Sequence, residues 1–370
     1  MKVINGKNYP FGIHVKDNKS LCREKPIIEM PQPKTVSISL SQHIGSPAEP
    51  IIEKGDMVKR GQLIAKESGF VSANIYASIS GVVKDIVDIR NGLGQLQKHI
   101  VIEKDESDNT SLLFDPMVDF TPSSLIERIR LAGIVGLGGA GFPTAVKLMP
   151  KNQLEYLIIN GAECEPYLNC DYRLMVERTL DIYKGIKYVA KALNINKIYL
   201  GIEKNKPEAI ELNKPLTDII MTVSGNGVSQ PNNIKVPIGT SFSDIADFCG
   251  GLKQNTVKLV AGGPMMGKAL CSINHFARKT DSGFLALIDG ETNTQMPTNC
   301  INCSTCANNC PMRLMPMYIE KCALSGDFAG AKRYGAMYCI ECGSCAYNCP
   351  AKRPLVQSIT LAKAKIKEMK

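Results

Sequence analysis

Tryptophan is absent from the 370 residues, and no run of Lys and Arg is interleaved with aromatics. The usual signature of a nucleic-acid binder is therefore missing. Lys plus Arg exceed Asp plus Glu by 44 to 35. That excess reads as a soluble surface with mild positive bias, or else as a docking face for an acidic protein or an anionic membrane surface. No stretch approaches the ~20 apolar residues of a membrane span, and the opening Met1-Lys-Val-Ile-Asn-Gly-Lys7 has no apolar h-region of a secretory signal. The chain is expected in the cytoplasm. Its 14 cysteines occur in neither a small nor an exported chain, so metal ligation is expected in place of disulfides. The hydrophobic fraction of 44% and charged fraction of 21% are ordinary globular values, and the length calls for several domains.

From about Pro31 to Glu103 short β-like runs alternate with Gly, Pro and Asp turns, as in Thr35–Leu40 and Ser80–Ile86. Gly55–Ile64 and Ala77–Val83 look like the halves of a biotinyl/lipoyl-type barrel-sandwich. The tip between them, Glu67-Ser-Gly-Phe-Val-Ser-Ala-Asn74, lacks the carrier lysine, which argues against a swinging arm. A helix is predicted over Ser123–Ala132, then a glycine-rich loop and a second helix start. Tyr156–Ile159 and Lys197–Ile202 read as buried strands around a helix over Arg173–Leu193, a parallel α/β unit. Asn205-Lys-Pro207 opens like a further helix, yet Pro215 follows within eight residues. Two parallel strands cannot cover both faces of such a layer, so something is missing or supplied by a partner. From Leu216 to Ile288 a small α+β unit follows, with strands Ile220–Val223 and Val257–Val260 and a helix Phe242–Phe248.

Cys300-Ile-Asn-Cys303-Ser-Thr-Cys306-Ala-Asn-Asn-Cys310-Pro311 is a C-x-x-C-x-x-C-x-x-x-C-P run, repeated from Cys339 through Cys342, Cys345 and Cys349 to Pro350. Three closely spaced thiolates reach three irons of one cubane, and the fourth cysteine serves the other cluster, as in two-cluster ferredoxins. Two [4Fe–4S] clusters follow: one on Cys300, Cys303, Cys306 and Cys349, one on Cys339, Cys342, Cys345 and Cys310. Zinc is the alternative, but its sites lack the trailing Cys-Pro. The other six cysteines are read as small buried hydrophobes.

Gly136-Leu-Gly138-Gly139-Ala140-Gly141-Phe142-Pro143-Thr144-Ala-Val-Lys147 contains G-x-G-x-x-G, but a helix precedes it where the dinucleotide fingerprint needs a strand. Clustered glycines still let backbone N–H groups approach a phosphate, and Lys147 adds a cation; a plain flexible turn is the alternative. Asn160, Glu163 and Glu165 follow the first strand at its carboxyl end, where α/β ligands bind.

Gly138–Thr144 with Asn160–Pro166 resembles the FMN- and NADH-binding subunit of respiratory complex I. Leu40–Pro50, Gly262-Gly-Pro-Met-Met-Gly267 and Cys339–Leu355 extend the likeness over nearly the whole chain, to the C subunit of the Rnf ferredoxin–NAD⁺ oxidoreductase family. The resemblance implies a multidomain α/β and α+β chain: an N-terminal segment 1–30, a barrel-sandwich domain 31–103, a Rossmann-like FMN/NAD(H) domain 104–214, a β-grasp-like (SLBB) domain 215–290, and a helical two-[4Fe–4S] ferredoxin domain 291–370. It implies that Gly138, Gly139, Ala140, Gly141 and Lys147 hold the FMN phosphate and Asn160 and Glu163 its ribityl and ring side, that Thr144 belongs to the same cofactor site, that Phe142 stacks on the dinucleotide, and that Glu165 faces the nicotinamide as the catalytic residue. It also implies a peripheral protein on the cytoplasmic face, exchanging electrons between NAD(H) and iron–sulfur centres. Its partners would be ion-translocating membrane subunits, the iron–sulfur B subunit and, indirectly, ferredoxin, with Na⁺ or H⁺ as the coupling ion. A flavin-free relay module and a cobalamin-reductase-like protein are the competing readings; the Cys-Pro-Ala-Lys-Arg-Pro-Leu ending favours Rnf over the latter.

The family continues after the segment matching Asn205–Ile210 with a strand–helix half and an Asn-Asn pair, whereas this chain jumps to Asn213-Lys-Pro215. Either that half is deleted, weakening nucleotide binding, or the protein holds residues beyond the sequence as read, the preferred alternative; an intact mass of 40.3 kDa would exclude it. At the far end, Leu355, Ile359, Ala362, Ile366 and Met369 share one helical face, with Lys363, Lys365, Lys367 and Lys370 elsewhere. That face packs on its own domain or docks on an acidic partner or lipid headgroups.

Overall fold

The computed structural model describes residues 13, 15–106, 112–137, 139, 141–202, 215–292 and 295–369. Two units divide the chain: 18–291, and 292–370 with the first 17 residues. The expected helix start at Asn205 and the break near 210–214 lie outside the described residues, as do Gly138, Ala140 and Lys370.

In the larger unit the β-branched run Thr35–Ser39 lies at the edge of an antiparallel sheet, followed in order by Leu96–Lys104, Gly81–Arg90 and Met57–Val58. A three-stranded sheet of Glu49–Pro50, Leu63–Lys66 and Ile75–Tyr76 completes the barrel-sandwich. The β-grasp-like sheet has six strands, ordered Ile27–Glu29, Asn232–Pro237, Asp218–Ser224, Gly283–Ile288, Thr256–Ala261 and Lys268–Leu270. Ser241 caps its helix Phe242–Phe248 by accepting from the Asp244 amide at 3.0 Å. Its outermost strand, Ile27–Glu29, pairs in parallel with Asn233–Lys235; a three-residue apolar fragment carries no period by which to recognise it. Ile38, Ile64 and Ile100 from the barrel-sandwich join Val223, Ile234 and Phe284 from the six-stranded sheet in a single core. The two β modules approach closely: a Cβ added at Gly239 would stand 2.8 Å from Ile38 Cγ1.

Helix Pro122–Leu131 starts on a Thr121 cap with Pro at its first position. The helix predicted over Arg173–Leu193 is two, Cys170–Glu177 and Thr179–Ala192, broken at Arg178, whose φ of −128° is not helical. The apolar period runs through the break, so sequence could not place it. Strands Leu157–Gly161 and Ile198–Ile202 pair in parallel, Ile158 opposite Tyr199, and no other described strand joins them. Ile198, Tyr199 and Leu200 are 40–46% exposed. Consecutive strand residues point to opposite faces, so both faces of this strand are open; with Ile158 70% exposed as well, the two strands read as buried are not, because two strands alone leave the layer uncovered.

Lys279 ties three modules together. Its Nζ donates to Asn74 O at 2.8 Å and Gly133 O at 2.7 Å, and the residue is buried. Burial drives this amine down from 10.5 to about 7. The unfolded chain then holds the extra proton between those values, so stability should rise as pH climbs from 7. Above about 8.5 the buried Cys22 and Cys249 thiols, pushed up to about 11 and 12 by burial, oppose the trend once their unfolded counterparts ionise. Between pH 7 and 8.5 the wild-type chain should therefore gain about 1–2 kcal/mol over Lys279→Met, read from urea midpoints at each pH; a constant difference would contradict it.

In the smaller unit, helices Pro316–Leu324, Phe328–Arg333 and Leu355–Glu368 pack around Ile319, Ala323, Ala331, Ile359 and Ile366. Leu355, Ile359, Ala362 and Ile366 are buried as the periodicity predicts, but Met369 is 66% exposed, beyond the last helical residue. The apolar face of the terminal helix is thus consumed by its own domain.

Candidate functional site

The two cysteine runs fold as one motif used twice, 39 residues apart. Asn302 and Glu341 have φ of 54° and 57°, Ser304 and Gly343 60° and 80°, and Arg313 and Lys352 both 53°. These left-handed residues wrap the chain around a hollow and turn amides inward: Glu341 N–H reaches Cys339 Sγ, and Leu314 N–H reaches Cys310 Sγ, each at 3.4 Å. The short helices Thr305–Asn308 and Ser344–Tyr347 carry Cys306 and Cys345.

Cys300, Cys303, Cys306 and Cys349 line one pocket, and Cys310, Cys339, Cys342 and Cys345 line another. Each hollow thus takes three thiols from one run and the last from the other. A tetrahedral zinc site would bring its sulfurs to ~3.8 Å of one another, given a Zn–S bond of ~2.3 Å. Among the described residues no three of these thiols lie within 4.8 Å of each other. The crosswise sharing of three thiols from one run and one from the other is that of a two-cluster ferredoxin. Of the other six cysteines, Cys22, Cys170 and Cys249 are buried as expected, while Cys164 and Cys271 are exposed and Cys322 half-buried.

On the nucleotide side, the glycine loop is closed at its neck, Gly136 N–H donating to Phe142 O at 2.9 Å and Thr144 N–H to Ile134 O at 2.9 Å. Gly139 has open space where a side chain would stand, whereas a Cβ on Gly141 would sit 2.6 Å from Thr280 Cγ2 and 3.1 Å from His43 Cα. Lys147 is exposed at the end of the four-residue helix Thr144–Lys147, its Nζ 3.8 Å from the place of a Gly136 Cβ. A cavity of about 850 Å³ opens beside this loop, lined by Ile134, Leu137 and Thr144 and across from them by Cys170, Leu174 and Val189. Its size and apolar walls suit a flavin ring.

Asn160, Glu163 and Glu165 do not line that cavity. Asn160 is exposed and its Oδ1 accepts from Ala162 N–H at 3.1 Å. Glu163 is buried and caps helix Cys170–Glu177, accepting from Asp171 N–H at 2.8 Å and Tyr172 N–H at 3.3 Å, with Lys19 Nζ 3.8 Å away. Glu165 accepts from Met265 N–H at 3.0 Å and Met266 N–H at 2.7 Å. Burial pushes its carboxyl above the ordinary range, and those two amides partly offset the rise. The loop side of the site fits FMN; the strand-end side engages the protein's own backbone. Sequence reasoning noted the Gly262–Gly267 motif but had no signal that its amides bind Glu165. It likewise missed Arg353, Glu341 and Lys363 at the clusters.

Comparison with known families matches residues 7–107 to the RnfC barrel sandwich hybrid domain, 129–233 to the Nuo51 FMN-binding domain, 220–269 to the SLBB domain and 292–350 to the 4Fe-4S dicluster domain. FMN and two [4Fe–4S] clusters are accordingly its cofactors. The C subunit of the proton-translocating ferredoxin:NAD(+) oxidoreductase complex of Clostridium ljungdahlii is 39% identical, over 97% of this chain and 94% of that protein. The C subunit of the ion-translocating oxidoreductase complex of Rhodobacter capsulatus is 37% identical, over 96% and 83%. The C subunit of the Na(+)-translocating ferredoxin:NAD(+) oxidoreductase complex of Acetobacterium woodii is 32% identical, over 99% and 98%. A solved NAD+-reducing [NiFe]-hydrogenase in the H2-reduced state aligns at a TM-score of 0.42 and 14% identity over 66% of this chain and 63% of its own, too distant to carry an argument. The alignment to the Clostridium protein has 429 positions but takes up 97% of 370 residues, so about 70 positions have no counterpart here. No described helix is long and apolar enough to cross a membrane. The chain belongs to the RnfC family, the C subunits of the ion-translocating ferredoxin:NAD⁺ oxidoreductase (Rnf) complexes, and is an electron-transfer subunit of such a complex.

Proposed function

We propose that this chain is the NAD(H)-reactive subunit of its complex, passing electrons between iron–sulfur centres fed by ferredoxin and NAD⁺ through FMN. Other subunits would couple that flow to Na⁺ or H⁺. The observation that carries the reading is the pair of thiol quartets, each drawing three cysteines from one run and the last from the other, on a chain whose middle matches an FMN-binding domain. FMN takes a hydride as an electron pair and releases electrons singly, which suits one-electron clusters. On this reading Cys300, Cys303, Cys306 and Cys349 hold one cluster and Cys310, Cys339, Cys342 and Cys345 the other. The glycine loop from Gly138 to Gly141, with Lys147, holds the FMN phosphate, Thr144 belongs to the same cofactor site, Phe142 stacks on the dinucleotide, and Glu165 meets the nicotinamide. The five segments drawn from the resemblance, 1–30, 31–103, 104–214, 215–290 and 291–370, are proposed as its domains. The partners are the membrane subunits, the iron–sulfur B subunit and, indirectly, ferredoxin, without nucleic acid, at the cytoplasmic face of the membrane. The relatives' names differ in the ion moved, so the coupling ion stays open between Na⁺ and H⁺.

One observation favours a second reading, the flavin-free relay. The parallel sheet has two described strands, with both faces of residues 198–200 open, and the roughly 70 positions of the Clostridium protein's alignment without a counterpart here would, if they fall in the nucleotide domain, remove half of it. Anaerobic holoprotein should contain one flavin and about eight irons per chain, and NADH should bleach its clusters. Iron at that level without flavin or bleaching would select the relay.

A further inference from the structure

All twelve wall residues of the Cys300 pocket have counterparts in the Cys339 pocket under the 39-residue shift, as Ile301 matches Ile340, Met317 matches Val356 and Leu355 matches Pro316; Ser344 and Ile359 line the second pocket alone. Charge breaks the correspondence at two places. Arg353 lines the Cys300 pocket where Leu314 lines the other; Glu341 lines the Cys339 pocket where Asn302 lines the first. Both charged residues belong to ion pairs, and the pairs face opposite ways.

Arg353 donates from Nε to Glu320 Oε2 at 2.7 Å and from Nη1 to Thr298 O at 3.0 Å. Its Nη2 has no hydrogen bond to a described residue, and Glu320 stands behind it, 2% exposed and outside the pocket wall. At the other pocket Glu341 is in the wall, and Lys363 stands behind, bonded to Glu341 Oε1 and to Cys339 O at 3.0 Å. A cubane gains one negative charge on reduction, so a facing cation favours the reduced form and a facing anion the oxidised form.

We propose that the cluster on Cys300, Cys303, Cys306 and Cys349 has the higher reduction potential of the two, set there by Arg353, while Glu341 holds the cluster on Cys310, Cys339, Cys342 and Cys345 lower. Solvent acts in the same direction: Cys300 and Cys303 are exposed, whereas no cysteine of the second quartet is, and water stabilises the more charged, reduced state. Amide hydrogen bonds lean the same way: the amides of Cys303, Thr305, Cys306, Ala307 and Met317 serve the first quartet and those of Leu314, Glu341 and Ala346 the second. One electron leaving the second cluster oxidises it and reduces the first, with no bond made or broken and no proton required.

This inference rests on the reading that the eight cysteines hold two clusters. The test is a dye-mediated, EPR-monitored redox titration of full-length holoprotein, with iron and acid-labile sulfide measured on every variant. Arg353→Gln should lower the higher midpoint and leave the lower one in place, and Arg353→Lys should largely restore it. Glu341→Gln should raise the lower midpoint, so that each variant narrows the gap. Two clusters with Arg353→Gln moving the lower midpoint, or with Glu341→Gln moving neither, would overturn the order while leaving the clusters standing. Absence of iron would overturn both.

Discussion

Cys349→Ala is expected to strip the chain of the cluster belonging to the other cysteine run, leaving about four of about eight irons. Cys349 lies four residues after Cys345, so local spacing alone would assign both to one cubane, yet its pocket is shared with Cys300, Cys303 and Cys306. Pairwise variants separate the two arrangements. Cys349→Ala with Cys300→Ala should still hold about four irons, because both changes strike one cluster. Cys349→Ala with Cys345→Ala should hold almost none, because they strike two. Local ligation predicts the reverse. The crosswise arrangement also has a structural consequence: each cluster staples the loop before Pro316 to the loop before Leu355, so losing either should loosen helices Pro316–Leu324 and Leu355–Glu368 together. Metal-ligand binding of this kind is part of the folding free energy.

The features that sequence revealed were those with a short-range rule behind them. The paired cysteine runs, the helix read over Ser123–Ala132, the helix Phe242–Phe248 and the buried face of the terminal helix each follow from spacing within a few residues. What escaped was set by contacts across the chain. Glu163 has the composition of a ligand-facing carboxylate, but the amides of Asp171 and Tyr172 and the ammonium of Lys19 surround it. Strand Ile27–Glu29 exists because Asn233–Lys235 offers an edge. Lys279 reads as an ordinary surface lysine until Asn74 and Gly133 are folded over it. Arg353 stood in a motif that sequence could match to a family, but only the 39-residue correspondence of the two pockets shows that it replaces Leu314.

Gly263→Ala should destabilise the larger unit and disable the NADH reaction together, because the added methyl would stand 2.3 Å from Glu165 Oε2 and 2.6 Å from its carboxyl carbon. Neither the loop nor the carboxylate yields easily, since Met265 and Met266 N–H hold the same oxygens. Crowding of this kind costs about 1–3 kcal/mol, and a displacement of ~1 Å at a reacting group costs about 100-fold in rate. The decisive comparison is the double variant. Glu165→Ala removes what the methyl strikes, so adding it to Gly263→Ala should restore part of the lost stability, a coupling that two independent sites would not show. NADH oxidation should stay low in the double variant, because Glu165 is the group proposed to meet the nicotinamide. If Glu165→Ala alone lowered the unfolding midpoint yet left NADH-dependent cluster reduction at the wild-type rate, its carboxylate would be an anchor for the Gly262–Gly267 loop and nothing more, and the nicotinamide would have to be met by another group.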